Sequence, residues 1–286
     1  MPSTNSIAVS AVTVPQAAEA PKAGSLVQRV VSALVLAGVG ALSIEAGGVL
    51  FNSAVLLVAS LLTWEWARLA DRSAIRAAAA GASLFVVLAI GLTLSPFSLD
   101  FGLVAAVAVV WLAIGLLAAP SGRWIALGIL YVGAWAVAAF WLRDDPMGGR
   151  EAIFWLIAVC IATDTGAYFI GRGLRGPKLA PRLSPNKTWA GCVGGLLCAG
   201  AVGYVLAPYM RMSDALLLAA ASVGVSVAAQ AGDLLESAAK RRYGAKNSGS
   251  LIPGHGGLFD RFDSIIGATL AVAVACLFIG RSVILW

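Results

Sequence analysis

The passage from Gly232 to Ser264 concentrates residue types that could bind metal ions and anionic groups. Its acidic, basic and histidine residues are Asp233, Glu236, Lys240, Arg241, Arg242, Lys246, His255, Asp260, Arg261 and Asp263. Apolar runs at 214–231 and 265–279 flank it on both sides. Because hydrocarbon excludes unpaired polar groups, we expect this passage to lie at a membrane surface or to line a water-filled cavity.

Carboxylates inside or beside apolar helices are the first candidates for chemistry, because their burial is costly and is usually retained for function. Asp164, Asp233 and Glu236 belong to this class. Asp260 and Asp263 lie three residues apart at a predicted helix start, so both side chains can face one side. Hard oxygen ligands of this kind suit Mg²⁺, which keeps several waters and bridges substrate phosphates.

A polar stripe follows the helix that leads out of the apolar run 214–231. Its members recur at steps of three or four residues and share one helix face: Gln230, Asp233, Ser237, Lys240 and Arg241. An acidic end beside a cationic end suits a metal ion next to an anion. The structural alternative is a Lys or Arg side chain that snorkels to the surface while Asp233 pairs with it.

The loop before Asp260 is rich in glycine, at positions 254, 256 and 257. Glycines let backbone N–H groups approach phosphate oxygens, and a helix N-terminus favours an anion. A bare helix-entry turn is the alternative, which the neighbouring aspartates and cations disfavour. His255 is the only histidine, and we assign it a hydrogen-bonding role rather than general base catalysis.

A second anion site is predicted where another apolar segment begins. Ser184, Lys187 and Thr188 precede that segment, and unsatisfied N–H groups and the helix dipole favour an anion at a helix start. Asp164 lies near the end of the preceding apolar segment. The alternative is a helix cap followed by a lysine that only marks the cytoplasmic side.

The composition of the whole chain is that of a polytopic membrane protein. Its 286 residues are 60% hydrophobic and 12% charged, outside the usual range of soluble domains. Segments long enough to cross a bilayer occur at 30–46, 49–69, 75–95, 101–118, 124–142, 151–171, 189–209, 214–231 and 265–286. We therefore predict an all-α, polytopic membrane helical bundle of about nine transmembrane helices.

The basic residues predict the orientation of this bundle. With a cytoplasmic amino terminus, every Lys and Arg falls on the cytoplasmic side except Arg143, Arg150, Arg211 and Arg281, as the positive-inside rule requires. The net charge of +6 does not indicate a nucleic acid partner, because the basic residues occupy short loops between apolar runs.

The chain divides into a tail and one membrane domain. Residues 1–28 are rich in Ala, Ser, Thr, Pro and Val without a sustained apolar core, and we predict a disordered tail. Residues 29–286 form the predicted transmembrane catalytic domain, with cytoplasmic loops at 172–188 and 240–262. Glu65 stands between two tryptophans near a predicted cytoplasmic end, which favours interfacial anchoring.

One long motif resembles the signature of the phosphatidate cytidylyltransferase (CDP-diacylglycerol synthase) family. The motif reads Ser237-x-x-Lys240-Arg241-x4-Lys246-x5-Ile252-Pro253-x-His255-Gly256-Gly257-x-x-Asp260-Arg261-x-Asp263. Two further stretches resemble other cytoplasmic motifs of that family: Asp164-Thr-Gly-Ala-Tyr-Phe with Gly171-Arg, and Ser184-Pro-x-Lys187-Thr with Gly194-Gly195. The likeness extends from about Val30 to the end of the chain, and the long signature is specific in spacing and residue type.

The resemblance implies an enzyme that transfers a cytidylyl group from CTP to phosphatidate, giving CDP-diacylglycerol and pyrophosphate. It implies Mg²⁺ at Asp233, Asp260 and Asp263, with Asp164 as a further ligand or orienting group. Asp164, Lys187, Asp260 and Asp263 are then the catalytic residues. The implied substrate-binding residues are Ser184, Lys187, Thr188, Ser237, Lys240, Arg241, Lys246, His255, Gly256, Gly257 and Arg261.

The same resemblance carries expectations about partners and location. It implies a multi-pass protein of the cell membrane, specifically a bacterial inner membrane, and self-association in the family leaves a homodimer open. Two positions depart from the family pattern: Asn247 replaces the usual aspartate, and Ala239 replaces a larger aliphatic residue. Asn247 keeps an acceptor oxygen but loses a charge, which puts in doubt a metal-binding role for that position.

Two other functions remain open at the level of sequence. A related CTP-using enzyme acting on another lipid phosphate or a polyprenol would need the same triphosphate loops and would differ only in its apolar cleft. A membrane transporter is a distant third, because transporters often repeat their halves and carry polar residues in several spans, whereas the first five predicted spans are nearly free of charge.

Overall fold

The computed structural model describes residues 26–70, 79, 82–84, 86, 122–212, 214–245, 247–249, 251, 256–280 and 282–283. Its helices and strands are α1 (Leu26–Ala46), α2 (Gly48–Ala70), α3 (Gly122–Arg143), α4 (Gly149–Leu174), β1 (Lys178–Ala180), β2 (Ser184–Thr188), α5 (Trp189–Leu206), α6 (Ala215–Arg242) and α7 (Phe259–Ile279). The architecture is therefore predominantly helical, as predicted.

Among the described residues, six helices, α2 to α7, are long and apolar enough to cross a membrane by length and composition. A shorter apolar segment, Val30–Ala46, lies in α1. These helices support the prediction of a multi-pass helical membrane protein. The predicted spans 75–95 and 101–118 fall almost entirely outside the described residues, so the count of nine and the cytoplasmic amino terminus stay predictions.

Several helix boundaries differ from those of the predicted apolar segments. Helix α1 already begins at Leu26, within the predicted tail. Helix α6 begins after Asp214, whose carboxylate accepts hydrogen bonds from Leu216 N (2.9 Å) and Leu217 N (3.1 Å), and such a cap satisfies the first N–H groups of a helix. It continues to Arg242, so the polar stripe predicted for its second half is helical throughout.

A two-stranded antiparallel hairpin interrupts the helical fold between α4 and α5. Strands β1 and β2 pair Lys178 with Thr188 and Ala180 with Ser184. The fold class was predicted as all-α, and the predominantly helical structure agrees with that prediction. The hairpin is an ordered element within the predicted loop 172–188 that was not anticipated from the sequence. It gives Lys187 a fixed place one residue before Thr188, where the chain enters α5.

Glycines allow α4 and α5 to pack closely within one chain. A Cβ atom added at Gly195 would lie 2.9 Å from the Thr163 carbonyl oxygen, and one at Gly166 would lie 2.6 Å from Cys198 Sγ. Both distances are shorter than van der Waals contact. The Gly194-Gly195 pair therefore packs helices inside the chain, which accounts for it without an interface between subunits.

The connection between α1 and α2 is joined to the connection between α3 and α4. Arg143 donates from Nε to the Ile44 carbonyl oxygen (2.8 Å), and Arg150 forms an ion pair with Glu45 at 2.9 Å. These contacts bring the end of α1 to the end of α3. They lie at the opposite end of α2 from Glu65, which is 17 residues beyond Gly48 and hence about 25 Å along the helix.

Candidate active site

The site forms where α6 and α7 cross at two glycines. A Cβ atom added at Gly267 would lie 3.1 Å from Gly232 Cα, and one at Gly232 would lie 3.3 Å from Gly267 Cα. No larger residue permits backbones to approach so closely. Asp233 and Glu236 follow Gly232 on α6, and Asp260 and Asp263 precede Gly267 on α7. The crossing thus brings carboxylates from both helices together.

Three carboxylates form an acidic cluster at this crossing. One oxygen from each of Asp233, Glu236 and Asp263 lies within 4.8 Å of the other two. Glu236 is 1% exposed, and its Oε1 atom has no hydrogen-bond partner in the described part of the chain. Two ionised carboxylates at that separation repel by roughly 3 kcal/mol at an effective dielectric constant of about 20, so the cluster needs compensating positive charge or bound protons.

Two lysines supply part of that charge. Lys240 donates from Nζ to Glu236 Oε2 at 2.6 Å and to Asp260 Oδ1 at 2.8 Å. Lys187, from β2, forms an ion pair with Asp233. Both lysine side chains are largely buried, with 15% and 25% exposure. The structural alternative for Asp233, pairing with a cation, is therefore realised, although the cation is Lys187 rather than a residue of its own helix.

The charges of the site do not balance. In the described part of the chain, five carboxylates, of Asp164, Asp233, Glu236, Asp260 and Asp263, face two ammonium groups. Three clustered carboxylates, one of which has a buried oxygen without a hydrogen-bond partner in the described part of the chain, are the donor chemistry that Mg²⁺ takes. The residues at this site therefore fit a divalent cation, which would offset most of the remaining negative charge.

Asp260 lies beside the acidic cluster, shares Lys240 with Glu236, and is oriented by the loop before α7. Its carboxylate accepts hydrogen bonds from Gly257 N (3.1 Å) and Ser248 N (3.3 Å) as well as from Lys240. Gly256 has a φ of 90°, a left-handed conformation that favours glycine. The N–H group of Gly257, predicted to face a phosphate, here donates to a carboxylate.

Glu65 belongs to α2, but its carboxylate contacts the start of α7. Its predicted role at the membrane interface is therefore wrong. Its side chain is fully buried at 0% exposure. The carboxylate accepts hydrogen bonds from Leu258 N (3.0 Å), Phe259 N (2.7 Å) and Ser248 Oγ (3.3 Å). It therefore caps α7 from α2, and a negative charge is favourable at a helix N-terminus.

The neighbouring tryptophan helps to hold Glu65 in place. Trp66 is 2% exposed and stacks on Trp124 with ring centroids 4.8 Å apart. Its Nε1 donates to the Trp124 carbonyl oxygen at 2.8 Å, and its ring lies 5.3 Å from that of Phe259. Packing against α3 and α7 thus positions the segment of α2 that carries Glu65.

The other sequence-predicted residues occupy different parts of the site. Asp164, on α4, accepts a hydrogen bond from Ser264 Oγ at 3.4 Å and is near enough to Asp233 and Lys187 to interact with both electrostatically. Ser237 is buried, and Arg261 is exposed. Lys246 and His255 fall outside the described residues, and their roles stay predictions.

The predicted site residues of the β1–β2 hairpin have different contacts. Thr188 accepts a hydrogen bond from Gly191 N at 3.1 Å and is buried, so its hydroxyl caps α5 as the structural alternative expected. Ser184 pairs with Ala180 at the other end of the hairpin. Arg241 donates from Nε to the Leu183 carbonyl oxygen (3.2 Å), which ties the end of α6 to the hairpin turn.

Comparisons with known proteins agree on one family. The profile of a family described as the cytidylyltransferase family matches residues 27–279. Relatives named phosphatidate cytidylyltransferase include the Brucella suis protein, 46% identical over 138 residues, which is 48% of this chain and 51% of that protein. The Bacillus subtilis protein is 40% identical over 142 residues, or 48% and 51% of the two chains. The chain thus spans about half the length of these relatives.

Proposed function

Because the chain belongs to the cytidylyltransferase family, we propose that it transfers the cytidylyl group of CTP to phosphatidate and forms CDP-diacylglycerol and pyrophosphate. The observation that carries this proposal is the convergence of Asp233, Glu236 and Asp263 beside Lys187 and Lys240. The names of the relatives support it over the half of their length that is matched.

The reaction asks mainly for positioning and charge neutralisation. A phosphate oxygen of the lipid attacks the α-phosphorus of CTP and forms a new P–O bond, while the bond from that phosphorus to the oxygen bridging to the β-phosphate breaks. Pyrophosphate leaves with the electron pair, so no covalent enzyme intermediate is needed. The lipid phosphate is already ionised near neutral pH, and electrostatic stabilisation and alignment then dominate catalysis.

Asp233, Glu236 and Asp263 would hold Mg²⁺, with Asp260 as the further ligand that the family motif suggests. When bound, the ion would neutralise the triphosphate and stabilise the leaving group. Lys187 and Lys240 would bind substrate phosphates, because both ammonium groups already lie at the edge of the acidic cluster. Rotation of the two lysine side chains would exchange carboxylate oxygens for phosphate oxygens.

The membrane setting follows from the same arrangement. The acidic residues lie on helices long and apolar enough to cross a bilayer, and the loop that completes the site is polar. CTP would approach from the cytoplasm, and phosphatidate would approach from the inner leaflet of a bacterial inner membrane. A homodimer is part of this proposal only through the family resemblance.

A turnover assay tests the proposal. Protein purified in lipid nanodiscs with Mg²⁺, labelled CTP and phosphatidate should release CDP-diacylglycerol and pyrophosphate in equal amounts. Glu236→Gln and Asp263→Asn should each lower turnover by about 10²-fold or more, since each removes charge from a preorganised electrostatic site. Mg²⁺ should raise the melting temperature of the unaltered protein and should not raise that of Glu236→Gln.

Glu45→Gln is the matched control, because it also converts a carboxylate to an amide. Glu45 is 59% exposed and pairs with Arg150 far from the site, so turnover and the Mg²⁺ effect should persist. Unchanged turnover in Glu236→Gln would remove the assignment of the acidic cluster. Turnover with a polyprenyl phosphate but none with phosphatidate would favour the related enzyme over the proposed one.

A further inference from the structure

The β1–β2 hairpin is attached to α6 at two points. At the hairpin turn, the Leu183 carbonyl oxygen accepts a hydrogen bond from Arg241 Nε at 3.2 Å. Near the end of β2, Lys187 forms an ion pair with Asp233. Arg241 and Asp233 both belong to α6, so a single helix holds the strand at both of its ends.

The spacing of these two contacts agrees on the helix and on the strand. Asp233 and Arg241 are eight residues apart, which is about 12 Å along α6. Leu183 and Lys187 are four residues apart, which is about 13 Å along an extended chain. Strand β2 therefore runs beside the last turns of α6, in the direction opposite to the helix.

The hairpin turn depends on Arg241 more than the hairpin base does. At the base, Trp189 N donates to the Pro177 carbonyl oxygen at 3.1 Å, and α5 follows directly. In the turn, Leu183 N donates to the Ala180 carbonyl oxygen at 3.1 Å, a bond that closes the turn without joining it to another element. The hydrogen bond from Arg241 joins the turn to α6.

The two adjacent cations at the end of α6 serve different elements. Lys240 donates to Glu236 and to Asp260, so it joins α6 to α7. Arg241 contacts the hairpin instead. The end of α6 is thereby held between the two elements that carry the remaining charged groups of the site, with α7 on one side and the hairpin on the other.

The two attachments of the hairpin respond differently to the proposed reaction. Metal binding at Asp233 and phosphate binding by Lys187 both require their ion pair to open. Arg241 donates to a backbone carbonyl oxygen, which neither ligand displaces, so this attachment can persist. A displacement of about 1 Å can lower a rate by about 10²-fold, and a hairpin freed at both ends would carry Lys187 away from the site.

We propose that Arg241 is a positioning residue that holds the hairpin turn against α6 and keeps Lys187 at the acidic cluster when its ion pair with Asp233 opens. This inference rests on the proposed function. It differs from the role that the family motif implies for Arg241, in which the guanidinium group contacts a substrate phosphate directly.

Arg242 offers a matched control. It is also an exposed arginine in the last turn of α6, but its guanidinium carbon lies 5.6 Å from the centre of the Trp124 ring. Arg241→Ala and Arg242→Ala therefore remove the same side chain and the same charge from adjacent positions. Arg241→Ala should release the hairpin turn, and Arg242→Ala should not.

The first measurement is a double-mutant cycle of kcat/KM for CTP with Lys187→Met. Arg241→Ala should lower kcat/KM about tenfold in the unaltered protein and at most about twofold in Lys187→Met, because the hairpin then carries no lysine to position. Arg242→Ala should change kcat/KM at most about twofold in either background. An equal loss from Arg241→Ala in both backgrounds would indicate an independent contact with the substrate and overturn the proposal.

The second measurement does not depend on turnover. It follows hydrogen exchange of the hairpin amides, residues 177–188, by mass spectrometry of the protein in lipid nanodiscs without substrates. In Lys187→Met, the further substitution Arg241→Ala should raise the exchange rate about tenfold or more, because both attachments are then lost. Arg242→Ala should leave the rate unchanged.

Unchanged exchange after Arg241→Ala in that background would overturn the proposal. Exchange also decides the case in which Lys187→Met has too little turnover for the cycle. If the unaltered protein turns over no phosphatidate, the proposed function fails, whereas exchange still decides whether Arg241 holds the hairpin.

Discussion

The cap that Glu65 provides for α7 permits a test of how the catalytic helix is positioned. Glu65→Gln keeps the shape of the side chain but replaces one acceptor oxygen with an NH₂ group. Two backbone N–H groups, of Leu258 and Phe259, donate to the two different carboxylate oxygens. Whichever way the amide is oriented, one of these donors therefore faces another donor and loses its partner.

The loss of one hydrogen bond and of the capping charge sets the expected change in stability. A hydrogen bond to a charged group contributes about 1.5–3 kcal/mol, and a charge at a helix N-terminus adds about 0.3–2 kcal/mol. We expect Glu65→Gln to lower the free energy of unfolding by about 2–4 kcal/mol. Because Asp260 and Asp263 lie in the first turns of the same helix, a displacement of about 1 Å there should lower kcat by up to about 10²-fold.

The assay measures thermal unfolding in detergent together with kcat and the Mg²⁺ concentration at half-maximal rate. A positioning role predicts a lower kcat and a weaker Mg²⁺ response, because the ligands on α7 shift, whereas a purely structural role predicts only a lower melting temperature. Glu45→Gln, an exposed pair member worth about 1 kcal/mol or less, should change neither. Wild-type stability and kcat in Glu65→Gln would refute the reasoning.

Two further substitutions test the site. Gly267→Leu should destabilise the protein by about 1–3 kcal/mol and abolish turnover, because a side chain there would force α6 and α7 apart; Gly224→Leu on α6, where an added Cβ meets no atom within 4 Å, should leave thermal unfolding and turnover near wild type. Asp260→Asn should abolish CDP-diacylglycerol formation. It should also lower the melting temperature, because Lys240 or Gly257 N then faces an NH₂ group, while circular dichroism at 25 °C should remain that of the folded protein; full activity in that variant would contradict its assignment as a catalytic residue.

Different features of the sequence identified different residues of the site. Asp233 and Lys240 were apparent from the polar stripe, because helical periodicity is local and survives without knowledge of the fold. Glu236 was recognised as a buried carboxylate but left out of the implied metal ligands, since the stripe and the family motif both passed over it. The structure brings it within 4.8 Å of Asp233 and Asp263, a proximity that depends on how α6 and α7 cross.

Glu65 shows a different limit of the sequence. Its neighbours Trp64 and Trp66 are the residues that mark a membrane interface, so a local interpretation favoured anchoring. Its hydrogen-bond donors lie more than 180 residues away, at Ser248, Leu258 and Phe259. The signal that could have identified it is the carboxylate itself, which lies in a long apolar run.

The sequence alone determined the helical membrane architecture, the polar passage and the residue types of the site, because hydrophobic length, helical periodicity and charge are properties of consecutive residues. Only the tertiary structure decided which of these side chains lie in contact with one another. The glycine crossing of α6 and α7 selects Asp233, Glu236 and Asp263 as one cluster, and the β1–β2 hairpin brings Lys187 to Asp233. Those pairings depend on distances across the fold, to which local sequence periodicity is insensitive.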